Sequence, residues 1–247
     1  MSPTPPNSDL SFMHRALDLA IGARGHVWPN PPVGCVIVQE GRIIAAAATH
    51  PGGRPHAERK ALDIADEDAR GATLYVTLEP CCHWGATPPC ADAIIAAGIS
   101  RVVCAIQDPD PRVSGGGFER LRRAGVDMSV GLGADAAESV MSGFFHRVRT
   151  GTPELVISDV GFRMIPDGVD AVLRTSRMGL MLETRTRVLD CRHKSTDEVM
   201  RWMGALGLTT VAVPSDDPFF RELHISNDMA LARRPSNFPQ PPLVTEV

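Results

Sequence analysis

Two short stretches restrict this chain more than any other feature: His56-Ala57-Glu58, and Pro80-Cys81 with Cys90 nine positions further on. An imidazole and two thiols are the donor set of a three-ligand zinc site that leaves its fourth position to water. Zinc lowers the pKa of such a water to about 7, so a nucleophile exists at neutral pH. Glu58, two residues from the imidazole, is the carboxylate in the pattern that can reach that water and carry protons. To bring three donors so far apart in sequence to one point, the segments between them must fold into compact connections. Ala57, Ala61, Leu62, Ile64 and Ala65 predict a helix that begins at His56. Cys90 opens a second helix through Ala97, closed by Gly98. Donors at helix N-termini sit where the dipole favours thiolate over thiol.

A lone His-x-Glu is common, and two cysteines in a reduced protein are ordinarily buried small hydrophobes. Here they come in order, each ahead of a helix, with Thr77-Leu-Glu-Pro80 leading into Cys81. That combination points to a zinc hydrolase. H-x-E followed by P-C and a second cysteine is the signature of zinc deaminases, in which the Glu is not a ligand. The second cysteine lies beyond eight intervening residues (Cys-x8-Cys) rather than two.

Composition narrows the partners. The chain has 247 residues, 43% hydrophobic and 22% charged, with a net charge of -4 and a pI near 6.1. That length allows one large domain or two modest ones. No Lys/Arg cluster accompanies the motif, so nucleic acid is not an expected partner. No apolar run approaches 18 residues, and Met1-Ser-Pro-Thr-Pro-Pro6 lacks the apolar centre of a signal peptide. Together with six cysteines that suit a reducing compartment, this predicts a cytoplasmic protein with no membrane association. Cys35 and Cys104 lie in apolar runs and are expected in the core, with Cys82 as packing.

Along the chain, residues 1–8 read as a disordered tail, and Leu10, Met13, Leu17, Ala20 and Ile21 give a first helix from Asp9. Prolines 29, 31 and 32 fix an extended loop. Val33–Val38 is a strand, Glu40-Gly41 turns it, and Arg42–Thr49 pairs back as a hairpin. Then follow the His56 helix, strand 72–78, the Cys90 helix, strand 101–106, a helix near 118–124 and strand 128–132. A hairpin followed by β-α-β-α-β is a mixed sheet with helices on both faces, its last three strands parallel.

At this point the residues resemble one family. Asn30-Pro-Pro-Val-Gly-Cys35, Pro55-His-Ala-Glu58, Thr77-Leu-Glu-Pro-Cys-Cys-His83, Thr87-Pro-Pro-Cys90 and Asp108-Pro-Asp-Pro-Arg-Val113 are similar to the deaminase domain of riboflavin biosynthesis, where Cys-x8-Cys spacing is characteristic. The resemblance runs from about Asp9 to Gly151. It implies a cytidine-deaminase-like, three-layer α/β/α fold, Zn2+ as cofactor, and a small-molecule pyrimidine as partner. The implied reaction is hydrolytic deamination of 2,5-diamino-6-ribosylamino-4-pyrimidinone 5'-phosphate. Matched by position, His56, Cys81 and Cys90 would hold zinc and Glu58 would shuttle protons. Asn30 and His83 would line the pyrimidine pocket, Asp108 and Asp110 would bound its ribosyl end, and Thr87 and Arg112 would complete the substrate contacts. Read for themselves, Asn30 is equally a turn residue before proline, His83 a loop side chain bonded to backbone, and Asp108-Pro-Asp-Pro a turn. Ala86 stands where the family carries a Lys or Arg near the substrate's phosphate. Arg54 and Arg112 are the cations that could replace it. A relative redirected to another aminopyrimidine or purine base, and an inactive scaffold, are the rival readings.

The expected units are 9–150 for the deaminase, 151–232 for a smaller, shortened reductase-like α/β lobe, and 233–247 for a flexible tail; a homo-oligomer is possible on this reading. Glu154–Ile157, Val169–Leu173 and Leu208–Val213 read as strands, and Ser195-Thr-Asp-Glu198 as a capping box opening a helix. Where the family's reductase turns on Glu-Gly-Gly against cofactor phosphates, this chain has Pro214-Ser-Asp-Asp217. Carboxylates there would repel phosphate, so no nicotinamide cofactor is expected.

Overall fold

The computed structural model describes residues 6–85, 88–110, 113–158, 164–191 and 195–219. The first part runs α1 (Pro6–Ala23), β1 (Gly34–Gln39), β2 (Arg42–Ala48), α2 (Ala57–Ala65), a 3-10 turn (Asp66–Ala69), β3 (Thr73–Val76), α3 (Cys90–Ala96), β4 (Arg101–Cys104), α4 (Gly116–Arg123), β5 (Asp127–Val130), α5 (Ala134–Val140) and α6 (Ser142–Thr150). The strands form one mixed sheet in the order β2-β1-β3-β4-β5. β1 is antiparallel to β2 and β3, while β3, β4 and β5 are parallel, as the long helical crossovers require. Glu40 and Gly41 both take positive φ, which closes the β1–β2 hairpin tightly. Helices α1 and α5 cover one face, and α2, α3 and α4 the other. Strands covered on both faces become continuous apolar runs, and Cys35, Val36 and Ile37 of β1 are wholly buried, as is Cys104 of β4.

Helix α1 buries Met13, Ala16, Leu17 and Ala20, one stripe at helical spacing. It crosses β1 so closely that a Cβ on Gly34 would fall 1.8 Å from the Ala16 carbonyl oxygen, so this crossing requires glycine. The helix also begins earlier than the expected tail allows. It starts at Pro6, because proline lacks an N–H that the first turn would leave unused anyway. Residues 1–5 and 233–247 lie outside the described residues. In the first turn Asp9 accepts hydrogen bonds from both Arg101 Nη atoms (3.1 and 2.8 Å) and from the Tyr75 hydroxyl (2.6 Å). One carboxylate thus ties the helix to β3 and β4.

A second sheet follows: β6 (Glu154–Ser158), β7 (Ala171–Ser176), β8 (Gly179–Thr184), β9 (Val188–Asp190), α7 (Thr196–Ala205) and β10 (Thr210–Pro214). Its order is β6-β10-β7-β8-β9, with β6, β10 and β7 parallel and the rest antiparallel. The capping box at α7 is formed in both directions, from Glu198 N to Ser195 Oγ and from Ser195 N to Glu198 Oε2. Strand β7 starts two residues later than expected, because Asp170 is drawn out of the run: its buried carboxylate accepts from Thr209 N, Thr209 Oγ1 and Thr210 N. β8 and β9 carry too little apolar alternation to show in the sequence, since β8 has mostly half-buried side chains. The expectation for Asp216-Asp217 also needs correction. Asp217 is buried and turned inward, accepting from Thr175 N (2.6 Å), Thr175 Oγ1 (2.7 Å) and Phe219 N (2.9 Å), so it is a structural acceptor and not a charge presented to a cofactor. Among the described residues no helix is long and apolar enough to cross a membrane.

The Asp9 cluster gives a pH-dependent contribution to stability. The Arg101 hydrogen bonds hold the Asp9 carboxyl below its ordinary value, against the opposing effect of burial. An acid with a depressed folded-state pKa stabilises the fold above its unfolded pKa, about 3.9, and loses that contribution as pH falls through the folded value. Asp9→Asn is therefore expected to cost about 1.5–3 kcal/mol at pH 7, and the gap to wild type should close below about pH 4. Urea unfolding of both proteins across that range checks it.

Candidate active site

Beyond β3 the ladder continues by one residue, as Thr77 N donates to the Gly34 carbonyl and Gly34 N donates to Thr77 Oγ1, both at 3.1 Å. Leu78-Glu79-Pro80 then carry Cys81 to the carboxyl edge of the parallel strands, where α/β proteins usually place their sites. His56 is the N-cap of α2 and Cys90 the first residue of α3. His56 Nδ1 stands 3.8 Å from Cys81 Sγ and 3.4 Å from Cys90 Sγ, and the three donor atoms all lie within 4.8 Å of one another. The Cys90 N–H donates to Cys81 Sγ (3.3 Å) and the Ala91 N–H to the Cys81 carbonyl (3.1 Å), so the start of α3 holds the cysteine loop. Soft thiolates with an imidazole suit zinc, whereas calcium or magnesium would need oxygen donors.

The electrostatics follow from this crowding. A hydrogen bond donated by the Cys90 thiol holds Cys81 down at about 4, with His56 adding to the effect. The same bond, reinforced by burial, pushes Cys90 well above the usual thiol range. The contact thus shifts the two thiols in opposite directions, Cys81 down and Cys90 up. Bonding to Cys81 raises His56 while burial opposes it. Glu58, in the first turn of α2 and 4% exposed, is pushed up to about 7, mainly by burial; the His56 charge opposes this and the Cys81 thiolate adds to it.

One residue that motif reading left unassigned organises the surroundings. Glu79 is 3% exposed, and its carboxylate accepts four backbone N–H groups. Oε2 takes those of Asp108 (3.2 Å) and Gly115 (3.0 Å), and Oε1 takes those of Gly117 (2.9 Å) and Phe118 (3.3 Å). The anion sits at the N-terminus of α4, where the helix dipole favours it. A Cβ on Gly117 would fall 2.1 Å from the Pro80 carbonyl oxygen, so α4 reaches the Pro80-Cys81 loop because that residue is glycine. The signal for Glu79 was present as the Thr-Leu-Glu-Pro run, but its partners are distant in sequence.

His56 and Cys81 open on a cavity of about 590 Å3, within the usual range for small-molecule sites. Asn30, His83, Asp108 and Asp110 line it together with His56, Glu58 and Cys81. Asn30 Nδ2 donates to the Gly53 carbonyl at 2.5 Å. His83 is exposed at the rim. Asp108 and Asp110 are buried, and Asp108 Oδ1 accepts from Asp110 N at 2.8 Å, so this local bond holds two residues of the cavity wall together. Thr87, Arg112 and Ala86 lie outside the described residues. Arg54 lines the cavity with its guanidinium against the loop, since a Cβ on Gly85 would meet its Nη2 at 3.4 Å. Motif reading missed Phe144, Arg147 and Val148, which reach the cavity from α6. Cys82 is directed elsewhere, against Gly116 of α4 and the Val113 carbonyl.

Residues 6–106 match the family described as the cytidine and deoxycytidylate deaminase zinc-binding region. Fold and donor set therefore place the chain in the zinc-binding deaminase class. It is 54% identical over 145 residues to riboflavin biosynthesis protein RibD of Escherichia coli K12, covering 59% of this chain and 40% of that one. It is 46% identical over 145 residues to the diaminohydroxyphosphoribosylamino-pyrimidine deaminase of Buchnera aphidicola, covering 59% of this chain and 99% of that one. Among solved structures, Acinetobacter baumannii RibD (form 2) has a TM-score of 0.71 at 25% identity, over 89% of this chain and 84% of that one. The chain belongs to the riboflavin-biosynthesis pyrimidine deaminase family. It spans about half the length of the curated RibD relatives it matches.

The donor geometry has a direct consequence for metal content. Purified protein is expected to carry about one zinc per chain, to lose it in Cys81→Ser and in Cys90→Ser, and to keep it in Cys82→Ser. Elemental analysis after dialysis checks all three.

Proposed function

We propose that this chain hydrolytically deaminates 2,5-diamino-6-ribosylamino-4-pyrimidinone 5'-phosphate. The observation that carries the reading is the buried Glu58 carboxyl beside three converging donors, His56 Nδ1, Cys81 Sγ and Cys90 Sγ, at the floor of a cavity sized for such a base. Held by those three residues, zinc supplies a hydroxide nucleophile at neutral pH. Glu58 takes the proton that water gives up on adding to the ring carbon and passes it to the ring nitrogen. It then takes the hydroxyl proton of the adduct and delivers it to the departing amine, which leaves as ammonia as the carbon–oxygen double bond forms. On this reading Asn30, whose Nδ2 donates to the Gly53 carbonyl, accepts through Oδ1 from an amino group of the base. His83 closes the rim over the ring. Asp108 and Asp110 face the ribosyl hydroxyls.

Among the described residues, two arginines line the cavity, Arg54 and Arg147. Arg54 stands beside Gly85, next to Ala86, and on this reading supplies the cation for the substrate's phosphate, with Thr87 and Arg112 as further contacts. The deaminase unit is read as 9–150 and residues 151–232 as a shortened reductase-like lobe, where the exposed Asp216 is the one remaining carboxylate that argues against a phosphate-bearing cofactor and hence against reduction of the product. A cytoplasmic setting, possible self-association and no role for nucleic acid complete the proposal. Ala86 favours one rival, a relative redirected to another aminopyrimidine or purine base.

Glu58→Gln is expected to retain zinc and lose at least ~10²-fold in kcat, because only proton transfer is removed; ammonia release alongside metal analysis reads it. Full activity in that variant would remove Glu58 from the mechanism. Arg54→Ala should lower kcat/KM for the phosphorylated substrate about 10- to 100-fold, corresponding to a charge-assisted contact of roughly 1.5–3 kcal/mol. The dephosphorylated compound should be changed by no more than about twofold. Equal effects on both, or a wild type that prefers the dephosphorylated compound, would favour the redirected reading.

A further inference from the structure

We infer that the second lobe is a positioning element for the deaminase cavity, acting through Trp28 and Pro29 on Asn30; the inference rests on the functional reading of that cavity. Trp28 belongs to the loop between α1 and β1, yet its half-buried side chain packs against the core of the second sheet. That core contains Met203, Leu208 and Val211. Next to Trp28, Pro29 lies directly against Gly207, two residues beyond the end of α7: a Cβ built on Gly207 would come within 2.5 Å of the Pro29 Cβ. Gly207 also has φ of +95, so two independent demands keep this residue a glycine. From the other side Arg147, on the helix that leads into the second sheet, donates through Nη2 to the Pro29 carbonyl at 2.9 Å. Helix α6 is seated equally closely, since a Cβ on Gly143 would fall 2.1 Å from Thr210 Oγ1 at the start of β10.

Pro29 is therefore held between a glycine of one lobe and a guanidinium of the other, and both Pro29 and Asn30 are cavity wall. The restraint continues into the site. Asn30 Nδ2 donates to the Gly53 carbonyl, and a Cβ on Gly53 would meet Asn30 Nδ2 at 2.5 Å and the Val27 carbonyl oxygen at 2.8 Å. Gly53 leads through Arg54 and Pro55 to His56. A further clamp holds the start of the same loop: Arg185, just after β8, donates to the carbonyls of Gly25, Ile165, Pro166 and Val169. A loop gripped at Gly25, Trp28 and Pro29 by the second lobe presents Asn30 in one orientation. Pre-ordering of this kind lowers the entropy lost on binding. On this account the lobe serves deamination without chemistry of its own.

The test uses the full chain and the variants Trp28→Ala, Gly207→Ala, Trp28→Phe and Leu189→Ala, the last a control on β9, remote from Pro29 in the strand order. Zinc content, kcat and KM for the phosphorylated diaminopyrimidine are measured, with amide hydrogen exchange over residues 26–31 and 50–56. Trp28→Ala and Gly207→Ala are expected to raise KM about 5- to 20-fold, with kcat within about threefold and zinc at wild-type content, because the lost interaction is uniform binding. Exchange should rise over both segments in these two variants. Trp28→Phe should restore KM to within about twofold, and Leu189→Ala should leave KM unchanged. KM unaltered in folded Trp28→Ala overturns the inference, as does an equal rise in Leu189→Ala, which would signify general loosening. If wild type deaminates none of the aminopyrimidines, the functional reading fails. The exchange data then still decide the coupling: protection that falls over 50–56 as well as 26–31 supports it, and unchanged protection at 50–56 overturns it.

Discussion

Four backbone amides converge on the buried carboxylate of Glu79, and the geometry of the site depends on that anion. Its donors come from the segment after β4 and from the first turn of α4, while Glu79 itself precedes Pro80-Cys81. A single group therefore locks the cysteine loop, the Asp108–Asp110 wall and a helix terminus into one arrangement. A buried carboxylate without partners would cost several kcal/mol, whereas one that accepts four N–H groups at a helix N-terminus satisfies both the charge and the amides. Gly117 is part of the same device, because any side chain there would strike the Pro80 carbonyl.

With that frame set, the division of labour is simple. The donors that must hold fixed distances sit on helix starts, His56 capping α2 and Cys90 opening α3. Cys81, on a loop, is restrained by amides of α3 and by the Glu79 anchor beside it. Much of the cavity wall comes from irregular segments instead, Pro29–Pro31, Arg54 and Asp108–Asp110, with Phe144, Arg147 and Val148 added from α6. Such segments have little ladder bonding of their own and are shaped by what packs behind them. For Asp108–Asp110 that support is Glu79. For Pro29–Asn30 it is Gly207 and Arg147, which is why the second sheet bears on a pocket to which it contributes no strand.

Burial sets the chemical character of the centre. Glu58 is screened from water on the first turn of α2, and that loss of hydration moves its carboxyl toward neutrality. The two thiols, in contact, are shifted in opposite directions, Cys81 down and Cys90 up. A cluster so arranged exchanges a proton for a metal cation at little reorganisation, because its atoms already converge.

Much of this could be read from residue patterns. The hairpin at Glu40-Gly41, the parallel order of the last three strands, the helices at His56 and Cys90 and the capping box at Ser195 are local events, governed by the conformational preferences of a few adjacent residues. The convergence of His56, Cys81 and Cys90 was also legible, because the spacing of donors ahead of helices leaves few ways to fold. The extra turn of α1 from Pro6, the late start of β7 and the existence of β8 and β9 were not. The first turn of α1 rests on Pro6 itself, the start of β7 on the distant Thr209 and Thr210, and β8 and β9 alternate too weakly to signal themselves. Asp217 shows the limit most clearly: as a residue in a sequence it is a charge near a turn, and in the fold it is an acceptor saturated by Thr175 and Phe219. Which chemistry the chain carries follows from its residue types and their spacing, since donors, acid and helix caps are properties of short segments. How the cavity is walled, and that Glu79, Arg147 and Gly207 take part in it, is settled by packing between segments far apart in the chain, and no local preference encodes that.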